Sequence, residues 1–105
     1  MSKKVIACLC SFNPAHMMYD IVNKLMTYHI SVNYHIGETG EFIVSTPNIA
    51  LYIFLPSQIL NGLKFDEVFG FPSVLALTLR KNPKSKPYRD SLINYILTEE
   101  EYVKN

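Results

Sequence analysis

The run Val5-Ile-Ala-Cys-Leu-Cys10, followed at once by Ser11-Phe-Asn-Pro-Ala-His16, constrains the fold more than any other stretch of this chain. Six consecutive apolar residues with β-branched members and no polar alternation need cover on both faces, which is the setting of a strand in a parallel sheet. Parallel strands cannot be joined by a tight turn. They need a crossover, usually a helix. Asn13 and Pro14 supply its start: an Asn side chain caps free N–H groups of the first turn, and Pro fits the first helical position because its missing N–H would have no partner there. Met18, Ile21, Val22 and Leu25 then recur at helical spacing, with His16, Asp20, Asn23, Lys24 and Thr27 on the other face. These positions predict a helix over residues 14–28.

Downstream, residues 29–36 alternate as a strand with Ile30, Val32 and Tyr34 on one side. The Gly37-Glu-Thr-Gly40 stretch is a turn, and residues 41–45 and 49–55 are two strong strands joined as a hairpin through Thr46-Pro-Asn48. Pro56 ends the second. Residues 57–63 read as a helical turn closed by Gly62. Residues 65–71 read as a buried strand, 72–81 as a short helix opened by Pro72 and Ser73, and 82–88 as a loop. The remainder forms an amphipathic helix with Leu92, Ile93, Ile96 and Leu97 inward, with a strand over 91–97 as the competing reading. A chain of 105 residues has room for one core. The expectation is a single α/β domain over 1–105, a small two- or three-layer sandwich with a mixed, partly parallel sheet of about five strands, its parallel part joined by a right-handed crossover and one edge extended by the hairpin.

Ten Lys and Arg against nine Asp and Glu leave a net charge of +1, so no global field draws the chain to nucleic acid or to a membrane. The apolar run after Lys3 and Lys4 is too short for a signal peptide or a membrane span, and no small-residue cleavage site follows. The expectation is a cytoplasmic protein. Cys8 and Cys10, two apart on a strand, point to the same face. With no further ligand cluster to suggest zinc, they read as buried thiols in a reducing compartment.

A phosphate site at the first strand–helix corner needs free N–H groups, glycines for close approach and, for a triphosphate, a Lys and a Ser or Thr. Residues 11–17 hold no Gly and no Lys, Pro14 removes one N–H, and the Asn13 side chain satisfies others. The corner is capped from within. Its residues Ser11, Phe12, Asn13, Pro14 and His16 nevertheless resemble the signature of the nucleotidylyltransferase superfamily, Gly-Ser/Thr-Phe-Asn/Asp-Pro-x-His-x-Gly-His. Cys10 stands at the first Gly, and Met18 and Tyr19 stand at the Gly-His. The resemblance implies nucleotide binding by Ser11, Asn13 and His16. Met18 would fill the room that a Gly leaves for the nucleotide, and the family's C-terminal Ser-Ser/Thr-x-x-Arg element is missing.

Residues 1–80 also look like the core of packaging-motor and helicase-type NTPases. Leu60, Gly62, Leu63, Phe65 and Asp66 match a segment that leads into the strand of the magnesium-binding acids, with Asn61 in place of its Arg. Gly70, Phe71 and Pro72 stand where the Asp-Glu pair belongs, and the phosphate-binding Lys is absent. The resemblance implies a reduced core, of a kind that small phage-encoded proteins carry, without the ATPase chemistry. Asp66 and Glu67 lie before the strand on this reading, in a capping or surface role.

His29 and His35 fall on one side of a strand by parity and could hold a metal with Glu38. No third histidine is placed nearby, so surface or packing roles are the simpler reading. His16 and Asp20 can pair across one helical turn, with Lys24 continuing the polar row. Arg80, Lys81, Lys84, Lys86 and Arg89 carry half of the basic residues, with Tyr88 among them. This segment can contact nucleic-acid phosphates with Tyr88 stacking a base, or anchor on an acidic protein. Glu99, Glu100 and Glu101 can fold back on it. The function the sequence favours is a non-catalytic interaction module: a phage accessory protein that binds and modulates a host protein, without cofactor or metal. Its contacts are drawn from Arg80, Lys81, Lys84, Lys86, Tyr88 and Arg89 and from whichever of Tyr28, Tyr34 and Tyr52 face outward. A degenerate nucleotide-binding protein and a nucleic-acid-binding protein are the alternatives. Self-association is open.

Overall fold

The computed structural model describes residues 3–10, 13–55, 58, 64–70 and 88–101. The readings for 57, 59–63 and 71–87, including the second helix, lie outside them. So do the side chain of Tyr88 and all of Ser11, Arg80, Lys81, Lys84 and Lys86. The elements are β1 (Lys4–Leu9), α1 (Pro14–Thr27), β2 (Asn33–Ile36), β3 (Phe42–Ser45), β4 (Ile49–Phe54), β5 (Glu67–Gly70) and α2 (Tyr88–Glu99). The five strands form a mixed sheet in the order β2-β3-β4-β1-β5.

The apolar run is central, as its composition requires. β1 pairs in parallel with β4, from Lys4↔Ile49 to Leu9↔Phe54, and with β5, from Ile6↔Glu67 to Leu9↔Gly70. β2, β3 and β4 form an antiparallel meander. The chain therefore leaves β1 through α1, enters the sheet at the far edge, and returns by two hairpins to lie beside β1. Alternate residues of β1 serve opposite faces. Ile6, Cys8 and Cys10 join Val44, Leu51, Ile53 and Phe69 in one core with Met18, Ile21, Val22 and Leu25 of α1 and Leu92, Ile93 and Ile96 of α2. Ala7 and Leu9 pack with Phe54, Phe65 and Val68 on the other face. The C-terminal segment is thus a helix; of the four inward residues expected of it, Leu92, Ile93 and Ile96 are buried and Leu97 packs partly buried against the core.

Both ends of α1 follow from local chemistry. The Asn13 carboxamide oxygen accepts from the His16 N–H at 3.1 Å, and Asn13 itself sits in the left-handed region at φ 49°, which Asn tolerates better than most residues. At the other end His29 is left-handed at φ 61°. Its N–H donates to the Met26 carbonyl at 3.0 Å, and that of Ile30 to the Leu25 carbonyl at 3.2 Å. This is the Schellman ending, usually completed by Gly at the left-handed position. The predicted strand over 29–36 is shortened accordingly. Ile30 and Val32 pack on the core from the connection, pairing begins at Asn33, and Tyr34 is exposed rather than buried with them. His29, off the strand, cannot share a metal-binding side with His35. Relief of left-handed strain of about 1–2 kcal/mol outweighs the extra unfolded-state freedom of Gly, about 0.5–1 kcal/mol. His29→Gly is therefore expected to raise stability by about 0.5–1 kcal/mol, seen as a higher urea midpoint at unchanged slope.

The β2–β3 turn is a three-residue loop, Glu38-Thr39-Gly40. The Gly37 N–H donates to the Glu41 carbonyl at 2.7 Å, the Gly40 N–H to the Gly37 carbonyl at 3.1 Å, and Gly40 is left-handed at φ 86°. The buried Glu41 carboxylate accepts from the Thr39 N–H and hydroxyl at 3.1 and 3.0 Å. Gln58 ties this loop to the end of β4, donating to the Thr39 carbonyl and accepting from the Leu55 N–H.

The acidic triplet does not fold back on Arg89. α2 carries it to the opposite end of the sheet, where Glu99 pairs with Lys4 at 2.7 Å. There the Glu100 carboxylate accepts from the Thr46 hydroxyl at 2.6 Å and the Asn48 N–H at 2.8 Å, holding the β3–β4 turn. Glu67 lies inside β5 rather than before it. Asp66 extends the β1–β5 ladder: its carboxylate accepts from the Val5 N–H at 2.8 Å, and its own N–H donates to the Val5 carbonyl at 2.7 Å.

Candidate functional site

Three places can be tested for chemistry. The first is the corner after β1. Of the three candidate nucleotide residues, Asn13 and His16 are described. The Asn13 side chain is engaged by the His16 N–H, as the capping argument requires. Met18 lies in the core, 2 % exposed, rather than over the corner. The His16 ring faces along the helix, with Nε2 3.6 Å from the Asp20 carboxylate.

That carboxylate also receives Arg89 Nη1, at 2.9 Å from the same Oδ2. Two residues nominated for unrelated roles, His16 at the corner and Arg89 in the basic segment, therefore meet on Asp20. Sequence spacing showed the first pair and could not show the second, which joins positions far apart in the chain. Asp20, Lys24, Arg89, Asp90 and Ile93 line a shallow hollow of about 230 Å³ between α1 and α2. Acids and bases are balanced there. Asp20 already binds Arg89, and Arg89 is more than half exposed, so the pair contributes little stability. The cluster sets the start of α2 against α1, with its acids and bases equal in number.

The second place is the thiol pair. Cys8 and Cys10 are free, buried, and on the helix-covered face, as their spacing predicts. The hydrogen bond between the two thiols holds Cys10 below the ordinary value of 9.0 and, together with burial, holds Cys8 well above it. So raised, the Cys8 thiol is unreactive, because the thiolate is the reactive species. Among the described residues no group of three His, Cys, Asp or Glu side chains could hold a metal ion. Among them, too, no helix is long and apolar enough to cross a membrane.

Two further groups resist losing a proton. The hydrogen bond to Glu99 raises the Lys4 ammonium above 10.5, and burial raises the Tyr95 hydroxyl above 10.0. Both folded-state values exceed the unfolded ones. The folded state therefore keeps protons that the unfolded chain releases, and stability is lost as pH rises beyond about 10. The melting temperature is expected to fall steadily across that alkaline range. An unchanged melting temperature up to pH 11 would contradict this.

The third place is the sheet edge at β2. All four of its residues are exposed. Tyr34 and Ile36 are 50 % and 65 % exposed, and Tyr19 and Met26 on the adjoining flank of α1 are 53 % and 59 % exposed. These four are the large apolar side chains left exposed among the described residues. The Tyr19 and Tyr34 rings meet edge to face at 6.2 Å. Of the three tyrosines nominated for contact, Tyr34 faces outward, while Tyr28 and Tyr52 are half-buried. Tyr52 packs on Phe65 with ring centroids 5.9 Å apart. Tyr19, Met26 and Ile36 were missed. The available signal was a Tyr and a Met seven residues apart, hence on one flank of α1, beside an otherwise clean inward stripe.

Compared with known proteins, the chain matches no family model, no curated protein and no solved structure.

Proposed function

We propose that this chain is a non-catalytic protein-interaction module whose docking surface is the β2 edge with Tyr19, Tyr34 and Ile36. One observation carries the reading: the large exposed apolar side chains gather at a sheet edge that no described strand covers. Exposed apolar patches of this kind mark interaction sites, and an open strand edge is a template for a further strand. Aromatic anchors such as Tyr19 and Tyr34 are the usual energetic centres of such contacts. The resemblance to small phage-encoded proteins makes the partner a host protein, whose activity the module modulates.

The test is capture by the immobilised chain. A protein retained by the wild type and lost, by at least about tenfold, with Tyr34→Lys plus Ile36→Lys is expected, because these side chains hold no core and the fold survives their replacement. Retention unaffected by that pair but lost with Lys84→Ala plus Lys86→Ala would move the surface to the basic segment. Nucleic acid retained in place of protein, with steep salt dependence, would establish the second reading. A melting-temperature rise with ATP or CTP and magnesium, abolished by His16→Ala, would establish the nucleotide-binding one.

A further inference from the structure

We infer that Cys8 and Cys10 form a two-coordinate site for a soft monovalent cation, copper(I), held between the two sulfurs on the helix-covered face of the sheet.

Spacing on the central strand decides what the two sulfurs can share. β1 ends at Leu9, but the Cys10 N–H still donates to the Phe54 carbonyl at 3.0 Å, so the extended backbone runs through both cysteines. At a rise of about 3.3 Å per residue, their Cα atoms and their same-face Cβ atoms lie roughly 6.6 Å apart. A disulfide needs Cβ atoms about 3.5–4.5 Å apart, which this backbone does not allow. Two metal–thiolate bonds of about 2.3 Å, laid end to end, need sulfurs roughly 4.6 Å apart. Two side chains that lean toward each other supply that distance. They already lean so, because the two thiols share a hydrogen bond that leaves the proton with Cys8 and lowers the hold of Cys10 on its own. A cation between the sulfurs takes the place of the shared proton.

The surroundings select the kind of cation. Both thiols are free and buried. Cys8 lies between Ile53 of β4 and Phe69 of β5 in the ladder, and Met18 of α1 belongs to the same buried cluster. Among the described residues no third His, Cys, Asp or Glu joins the pair. Zinc, which takes four ligands, and the hard cations, which take oxygen, are therefore not served. Soft sulfur ligands select copper(I), whose filled d shell accepts linear coordination by two. Binding breaks two S–H bonds and forms two copper–sulfur bonds. Both protons leave to water, and no electron moves. A coordinating cation deprotonates a thiol outright, Cys8 included. The complex carries one net negative charge. It lies toward the C-terminal end of β1, where the 14-residue α1 begins, and the positive end of that helix dipole favours an anion there. Because both sulfurs are buried, loading waits on local opening of the fold, and the bound cation is shielded from exchange.

The experiment is titration of the intact chain with copper(I) under reducing, oxygen-free conditions, in competition with a colorimetric copper(I) chelator, with bound metal counted by native mass spectrometry. One copper per chain is expected. Cys8→Ser and Cys10→Ser are each expected to weaken binding by more than about 100-fold, since even partners that only orient a ligand are worth about 10–100-fold. Circular dichroism checks that each variant keeps the fold, and Cys8→Ala or Cys10→Ala replaces one that does not. Met18→Leu, a volume-conserving change in the same core, is expected to leave the affinity unchanged. A wild type that holds no more copper than the Cys8→Ser plus Cys10→Ser double variant overturns the site. A loss in Met18→Leu as large as in the cysteine variants, or zinc held as tightly as copper(I), overturns its two-coordinate character. A Cys8–Cys10 disulfide formed readily under mild oxidation overturns the spacing on which the site rests.

Discussion

Gly70→Ala is expected to remove a large part of the stability of this domain. Gly70 ends β5 opposite Leu9 of the central strand and has φ +133°, a conformation closed to residues with a side chain. A Cβ placed there would lie 2.5 Å from the Leu9 carbonyl oxygen, 2.9 Å from Leu9 Cβ and 3.1 Å from the Leu9 nitrogen. Two of these atoms are backbone of a fully buried strand, so no rotamer change relieves the contact. Backbone strain alone costs on the order of 1–3 kcal/mol. With the displacement of β5 from β1 added, the loss is expected to exceed about 3 kcal/mol, against a total of roughly 5–15 kcal/mol for an ordinary domain. Circular dichroism of the variant would show a melting temperature far below that of the wild type or no cooperative transition. A shift of only a degree or two would mean that Gly70 does not hold this conformation.

The second large effect is expected one residue earlier. Phe69 is 1 % exposed, sits in the helix-side core, and meets the Tyr95 ring of α2 edge to face at 5.5 Å. It joins the short β5 strand to the C-terminal helix. Phe69→Ala removes a large buried side chain and leaves a cavity that two packed elements cannot both close, at a cost of about 3–5 kcal/mol. For a domain of this size that corresponds to a fall in melting temperature of about 15–30 °C. Phe69→Leu keeps most of the volume and is expected to cost less than about 1.5 kcal/mol. Similar losses for both variants would show that the ring contact, rather than filled volume, carries the effect.

The proposed docking surface lies in a different part of the molecule from these substitutions. Gly70 and Phe69 lie at the β5 side of the sheet, whereas β2 is the opposite edge. The docking surface can therefore be altered without loosening the core. Tyr34 and Ile36 contribute little to folding because they are mostly exposed, which makes their substitution a test of binding rather than of stability.

Local chemistry was legible where a residue type has one reason to be where it is. Asn13-Pro14 opens α1, the stripe from Met18 to Leu25 faces the core, the Gly-bounded turn closes the first hairpin, and Cys8 and Cys10 share a buried face. The misreadings have a common cause, in that short-range alternation says nothing of where pairing starts. Ile30 and Val32 alternate like strand residues, but the left-handed His29 draws Ile30 into closing the helix and leaves Val32 packed on the core ahead of the ladder. Glu67 resembles a loop acid until its register opposite Ile6 places it in β5.

What the residues determined alone was periodicity, capping and burial. The uninterrupted apolar run demanded a central parallel strand, and the helical stripe demanded one covered face, because backbone geometry converts spacing directly into direction. The tertiary structure decided which strand neighbours which, that Arg89 finds Asp20, that Glu100 holds a turn from across the domain, and that β2 is left at the edge with its tyrosine outward. Those contacts join residues tens of positions apart, and their energies depend on distances that exist only once the sheet order is set.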